Sequence, residues 1–80
     1  MRIRVTRSAR KHKIGNAHIL AAMRAAGEPA VVPGTDQLVY VGEDDRGVEL
    51  VVIAVPDNRD PAGLAVIHAM PTAFGSEKEQ

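Results

Sequence analysis

The chain begins with an alternation of charged and apolar residues. Ile3 and Val5 alternate with Arg2 and Arg4, a pattern that predicts a short strand with one basic, solvent-facing side. Ser8 then follows as a suitable N-cap, so a short helical turn is expected through Lys13.

The next stretch changes to a helical period. Gly15 or Asn16 can cap this helix, while Gly27 can adopt the left-handed conformation that ends it and Pro29 prevents its continuation. Apolar residues recur at spacings of three and four, which places them on one helix face, at Ile19, Leu20, Met23 and Ala26. We expect this face to pack on a sheet.

From Ala30 onward the pattern is typical of strands. It predicts strands at Ala30–Val32, Leu38–Val41, Val48–Val55 and Leu64–Met70. The segment EDDRG joins the middle two as a hairpin loop, in which Gly47 can take a positive φ. Val48–Val55 has Glu49 as its one polar residue, so we expect a central strand covered on both faces or nearly so, ended by Pro56 and followed by the loop PDNRDPAG.

These elements predict an α+β fold with a small antiparallel sheet. The sheet would comprise the N-terminal strand plus a three- or four-stranded meander, with one or two N-terminal helices packed on one face. Residues 1–74 form a single domain in this interpretation, and the polar residues 75–80 form a disordered tail. The opposite sheet face would be open, either as a concave binding surface or as a place where a partner docks.

Composition excludes several kinds of site. The 80 residues contain no cysteine, which removes disulfides, thiolate nucleophiles and zinc–thiolate sites and is consistent with a reducing cytosol. The charged start MRIRVTRSARKHK is unlike a signal peptide, and no apolar run reaches the roughly 20 residues that a spanning helix needs. A cytoplasmic protein without membrane contact is therefore expected.

A net charge of zero conceals an uneven distribution of charge. Every acidic residue follows Gly27, whereas most of the cations precede Ala25, at Arg2, Arg4, Arg7, Arg10, Lys11, Lys13 and Arg24. Such asymmetry points to an anionic partner for the first third of the chain. The alternative is that the two parts neutralise each other within the fold.

Short motifs in the same order resemble a known family. The motif KHKIG at Lys11–Gly15, the DDRG hairpin turn and the last strand AVIHAMPT at Ala65–Thr72 look like the BrnT family of toxins within the RelE-like superfamily. Lys13 stands where the family motif has glycine, and Met70 stands where the last strand usually has arginine. The resemblance implies a metal-independent ribonuclease that arrests growth and is held inactive by a cognate antitoxin.

Cleavage of RNA without a metal uses the 2′-OH of the substrate as nucleophile, so the protein must move protons and bind phosphate. His12 and His68 are the candidates for proton transfer. The candidates for RNA and phosphate binding are Arg7, Arg10, Lys11, Lys13, Arg24 and Tyr40. Neither a metal nor another cofactor is expected, because the histidines are scattered without clustered carboxylates.

Each candidate also has a structural interpretation. His12 is alternatively a solvated member of a basic run, and His68 a hydrogen-bonded, half-buried strand residue. Tyr40 either packs on the sheet or contacts RNA. If the residues do not form one site, the chain is instead a non-catalytic relative of the same fold that binds nucleic acid or protein. Its oligomeric state stays open.

Overall fold

The computed structural model describes residues 2–10 and 14–72, which form one helix and five strands. The helix α1 spans Asn16–Ala26, and the strands are β1 Ile3–Val5, β2 Ala30–Val31, β3 Leu38–Glu43, β4 Glu49–Asp57 and β5 Asp60–Pro71. All five strands join one sheet in the order β1-β5-β4-β3-β2. The predicted α+β class is confirmed, with a four-stranded meander formed by β2 to β5.

The sheet is mixed and not antiparallel throughout as predicted. β1 runs parallel to β5, with Ile3 opposite Leu64 and Val5 opposite Val66. The remaining neighbours pair antiparallel. An alternating pattern shows that a segment is a strand but carries no information on the direction of its partner, so the prediction of an antiparallel N-terminal strand is wrong.

The predicted loop PDNRDPAG is wrong, because most of it belongs to the strands. β4 continues through Pro56 to Asp57, which pairs with Asp60 across a two-residue turn. Pro56 is tolerated because β3 starts opposite Ala54, so no neighbour on that side requires its missing N–H. The register of β4 against β5 also shifts between Pro56 and Asp57, an irregularity of the kind that accommodates proline in a strand.

One sheet face packs against α1. Ile19, Ala22 and Met23 on the helix are buried against β3 and β4. On β4 the buried positions alternate strictly, at Leu50, Val52 and Ala54, while the residues between them are only half-buried. The central position of β4 is as predicted, and its cover is unequal, with one face buried and the other half-buried.

The helix ends match the sequence pattern. Gly15 is the N-cap; it makes no side-chain capping bond, but its carbonyl accepts the N–H groups of His18 and Ile19, both at 3.1 Å. Gly27 ends α1 with a φ of 72°. The short turn predicted from Ser8 is a 3₁₀ turn at Ser8–Arg10 that buries Ala9, and residues 11–13 lie outside the described residues. The predicted tail at 75–80 is likewise outside them.

No helix in the described part of the chain has the length and apolar character needed to cross a membrane.

The helix and sheet approach most closely at Gly42. A Cβ atom at this position would lie 2.5 Å from the Ala22 carbonyl oxygen and 2.7 Å from the Ala26 nitrogen. Both are backbone atoms of α1, which cannot move aside as a flexible side chain would. The glycine in β3 therefore fixes the distance at which the alanine-rich helix packs on the sheet.

We expect Gly42→Ala to lower the free energy of unfolding by about 1–3 kcal/mol or more, because α1 must shift off the sheet. Urea unfolding measures this change. Val41→Thr is the matched control, since Val41 is the preceding residue of β3 and is 48% exposed on the opposite face. Equal stability of the Gly42→Ala variant and wild type would contradict this packing.

Candidate functional site

The sheet face opposite α1, which we term the open face, is largely apolar. Among the described residues, no helix or strand lies across it. By register it presents Val39, Val41, Val51, Ile53, Val55, His68 and Met70. Contiguous apolar surface of this kind is a common mark of an interaction site.

The two ends of the open face differ in charge. At one end Glu43 lies directly opposite Glu49, and Glu49 accepts a hydrogen bond of 2.9 Å from the Thr72 hydroxyl. At the other end the Arg4 guanidinium donates two hydrogen bonds of 3.1 Å to the two carboxylate oxygens of Asp57. The first end is therefore acidic, whereas the second is neutralised by an ion pair.

The Arg4–Asp57 pair is the most extensive ion pair on the open face. Asp57 is buried, and the hydrogen bonds from Arg4, followed by one from the Arg59 backbone N–H, hold the pKa of its carboxyl below the usual range despite that burial. The same hydrogen bonds from Arg4 raise the pKa of its guanidinium. Arg4 is thus committed to a structural contact and is not available to bind phosphate.

His68 lies on the β5 side of the open face, beyond the residues of β5 that pair with β1. It is half-buried on β5 opposite Ile53, which in turn lies opposite Val39. Met70 follows on the same face, opposite Val51. The position where the resembled family usually has arginine is therefore on the same face as His68, but its side chain here is uncharged.

Arg7 and Arg10, which we term the basic edge, belong to the turn that follows β1 and packs on β5. The chain leaves β1 parallel to β5, and the Thr6 N–H and hydroxyl both donate to the Val66 carbonyl, at 3.0 and 2.7 Å. The 3₁₀ turn that follows packs on β5. Pairing in this direction carries the basic edge toward the half of β5 that contains His68.

Both arginines of the basic edge are exposed and lie on the same side of the turn. The Arg10 N–H donates to the Arg7 carbonyl at 3.0 Å, the i to i+3 contact that aligns their side chains. Neither arginine forms an ion pair with a described residue. Lys11, His12 and Lys13, which are predicted to act with them, lie outside the described residues.

The alternative of neutralisation within the fold holds for part of the uneven charge. Arg4 pairs with Asp57, and Arg2 lies 3.7 Å from Asp60, so the start of β1 is neutralised by the hairpin of β4 and β5. The basic edge is not neutralised in this way by the residues that the structure describes. Cations without an ion pair among the described residues therefore include Arg7 and Arg10 of the basic edge and Arg24 on α1.

Arg24 and Tyr40, also predicted to bind RNA, lie away from the basic edge. They line one cavity of about 620 Å³ beside the C-terminal half of α1, on the face of the sheet opposite to that of His68. Tyr40 is buried in the core, as in the packing alternative. The predicted set is therefore divided between two surfaces.

A third cluster is not evident from the sequence. His18 on α1 contacts the Asp45 carboxylate in the β3–β4 hairpin loop, with Asp44 close by, and their potential ligand atoms all lie within 4.8 Å of one another. Asp44 is not free to bind a metal, because it accepts hydrogen bonds from the Arg46 side chain and from the backbone N–H groups of Arg46 and Val48.

The hydrogen bonds to Asp44 are structural. Burial acts to raise the pKa of this carboxyl, but the hydrogen bonds from Arg46 and Val48 outweigh it and lower the pKa. Asp44 therefore organises the hairpin turn that presents Asp45 to His18. The EDDRG segment predicts the turn. The contact of Asp45 with His18 on α1 is not predictable in this way, because the two residues are far apart in sequence.

Comparison with protein-family models, with curated proteins and with solved structures gives no match to this chain.

The lowered pKa of Asp57 predicts a pH dependence of stability. The ionised carboxylate is favoured in the folded state, so this stabilisation is present above the ordinary aspartate pKa of about 3.9 and is lost as pH falls through the lower folded value. We expect Asp57→Asn to unfold at lower urea concentration at pH 7 and to lose less stability on acidification than wild type does. Asp44 retains its own acid response in both proteins.

Asp36→Asn is the control for this experiment, because Asp36 is exposed and has no ion pair among the described residues. Its urea midpoint should follow wild type at both pH values. Identical acid responses of wild type and Asp57→Asn would show that the Arg4–Asp57 pair does not contribute as described.

Proposed function

We propose that this chain is the toxin of a toxin–antitoxin pair and acts on RNA in the cytoplasm. The observation that supports this most directly is the parallel pairing of β1 with β5, which brings the basic edge beside the part of β5 that carries His68. Phosphate-binding cations and a proton-transfer group are thus held by adjacent segments, as RNA cleavage requires.

The basic edge would bind the RNA backbone. Arg7 and Arg10 are exposed, side by side and without described ion-pair partners. The Arg10 guanidinium donates one long hydrogen bond of 3.5 Å to the neutral Val5 carbonyl, which leaves the charge of both arginines available to phosphate. Guanidinium groups suit this role because their planar donors match phosphate oxygens in pairs. Aromatic stacking contributes little, because Tyr40 is buried on the other side of the sheet. Binding should therefore depend on charge more than on base identity.

His68 would transfer a proton during cleavage. An imidazole can accept the proton of the 2′-OH or donate one to the leaving oxygen near neutral pH. The nearby guanidinium groups would stabilise the charge that grows on the phosphate in the transition state. His12 remains the predicted partner for the second proton transfer, but it lies outside the described residues.

The antitoxin would cover the open face. Its valine, isoleucine and methionine side chains offer an apolar surface, and Glu43 and Glu49 give one end a negative charge. This surface fits a protein segment with apolar side chains followed by lysine or arginine. Such a segment would cover His68 and keep the toxin inactive.

Growth arrest tests the proposed activity. Inducible expression of wild type in a bacterium should stop growth, and His68→Gln should restore it, since loss of a general acid or base slows cleavage by about 10²–10⁴-fold. His18→Gln is the control, because His18 lies on α1 against the hairpin loop and should leave toxicity unchanged. Circular dichroism must show that all three proteins are folded. Continued growth with folded wild type would exclude the toxin.

Salt dependence tests the role of the basic edge. We expect the double substitution of Arg7 and Arg10 by alanine to weaken binding of single-stranded RNA. The slope of log affinity against log salt concentration should fall by about 0.7 for each lost phosphate contact. Fluorescence anisotropy measures both quantities. Arg24→Ala, which removes a cation at the distant cavity, should leave them unchanged, and the opposite ranking would contradict RNA binding at the basic edge.

A second candidate is a non-catalytic relative of the same fold that binds nucleic acid or protein. Met70 favours it, because a neutral side chain stands on the face of His68 where the resembled family has a cation. RNA binding without cleavage or growth arrest, together with an unchanged phenotype of His68→Gln, would support this candidate.

A further inference from the structure

The cavity beside α1 has apolar walls. Its volume is about 620 Å³, within the roughly 300–1,000 Å³ typical of small-molecule sites. The walls come from β1, from α1 and from the segment that follows the helix, through Ile3, Leu20, Met23 and Pro29. The apolar residues that α1 contributes to the cavity lie on the helix face that packs on the sheet. The cavity is therefore an extension of the hydrophobic core that opens to solvent.

The Tyr40 hydroxyl is an available polar group in this cavity. It has no hydrogen-bond partner among the described residues. Among the described side chains, every fully buried nitrogen or oxygen has a hydrogen-bond partner. Because the Tyr40 hydroxyl has no such partner, its oxygen must be accessible to solvent, although the residue as a whole is only 7% exposed. Because Tyr40 lines the cavity, this is where its hydroxyl can meet a ligand.

Two opposite charges also line the cavity. Arg24 lies in the last turn of α1, and Glu28 follows the helix directly after Gly27. Both are exposed, and neither forms an ion pair with a described residue. The end of α1 also contributes carbonyl groups that lack helical partners and favour a cation.

We propose that this cavity binds a free apolar α-amino acid. Its side chain would occupy the space between Leu20, Met23 and Ile3, and its carboxylate would pair with Arg24. The ammonium group would contact Glu28 and the carbonyl groups at the end of α1, with the Tyr40 hydroxyl as an additional hydrogen-bonding group. This proposal does not rest on the toxin function, because the cavity and His68 lie on opposite faces of the sheet.

A ligand with both charges fits better than one with a single charge. An apolar carboxylate would satisfy Arg24 but leave its anionic group close to Glu28. An apolar amine would pair with Glu28 but would bring its positive charge close to Arg24. An α-amino acid carries both groups on one carbon, with the apolar side chain attached beside them, so each feature of the cavity has a counterpart.

Titration of the ¹⁵N-labelled full chain with three probes tests the proposal. The probes are L-phenylalanine, 3-phenylpropionate, which lacks the ammonium group, and 2-phenylethylamine, which lacks the carboxylate. We expect L-phenylalanine to shift the amide signals of Leu20, Met23, Gly27 and Tyr40. The other two should bind about two- to fivefold more weakly, the effect of losing one exposed charge pair.

Two exposed substitutions identify the charges. Arg24→Gln should weaken binding of L-phenylalanine and 3-phenylpropionate but not of 2-phenylethylamine, and Glu28→Gln should weaken L-phenylalanine and 2-phenylethylamine but not 3-phenylpropionate. Arg7→Gln, at the basic edge, should change none of them. The proposal is overturned if L-phenylalanine causes no shifts around the cavity, if a singly charged probe binds as tightly, or if neither substitution changes affinity.

Discussion

The pairing of β1 with β5 is the contact on which the rest of the structure depends. It makes the first segment of the chain an edge strand beside the last one, and it is maintained beyond β1 by the two hydrogen bonds from Thr6 to Val66. The same pairing places Arg4 beside the β4–β5 hairpin, where it neutralises Asp57. It also sets the position of the basic edge. A small domain with few buried residues cannot lose such a long-range contact without losing its shape.

The sheet serves different purposes on its two faces. The face toward α1 is packed closely enough that β3 requires glycine at position 42, and it provides most of the core. The opposite face keeps an apolar surface that the described residues leave open, with His68 on its β5 side. The packed core and the open apolar surface are therefore on different faces of the sheet. This division explains how an 80-residue chain can keep an apolar surface open and still bury a core.

Local features of the sequence predict the local structure well. The spacing of Ile19 and Met23 indicates the buried face of α1, Gly27 indicates its end, and EDDRG indicates the hairpin between β3 and β4. Long-range features are not predictable in this way. The direction of β1 depends on a partner about 60 residues away, which its own alternation does not encode. Pro56 resembles a strand end in the sequence, although β4 continues through it. The proline is tolerated because β3 does not extend as far as this position, and the extent of β3 cannot be predicted from the residues around Pro56.

The candidate site shows the same limit. Basic residues that are close in sequence, such as Arg7 and Arg10, remain together, whereas Arg24 and Tyr40 form a separate surface with the end of α1. Chemical-shift mapping with a short single-stranded RNA tests most directly whether the basic edge and His68 form one site. We expect shifts at Arg7, Arg10 and His68 together, with the cavity unchanged. Shifts at the cavity alone, or at the basic edge without His68, would contradict a shared site.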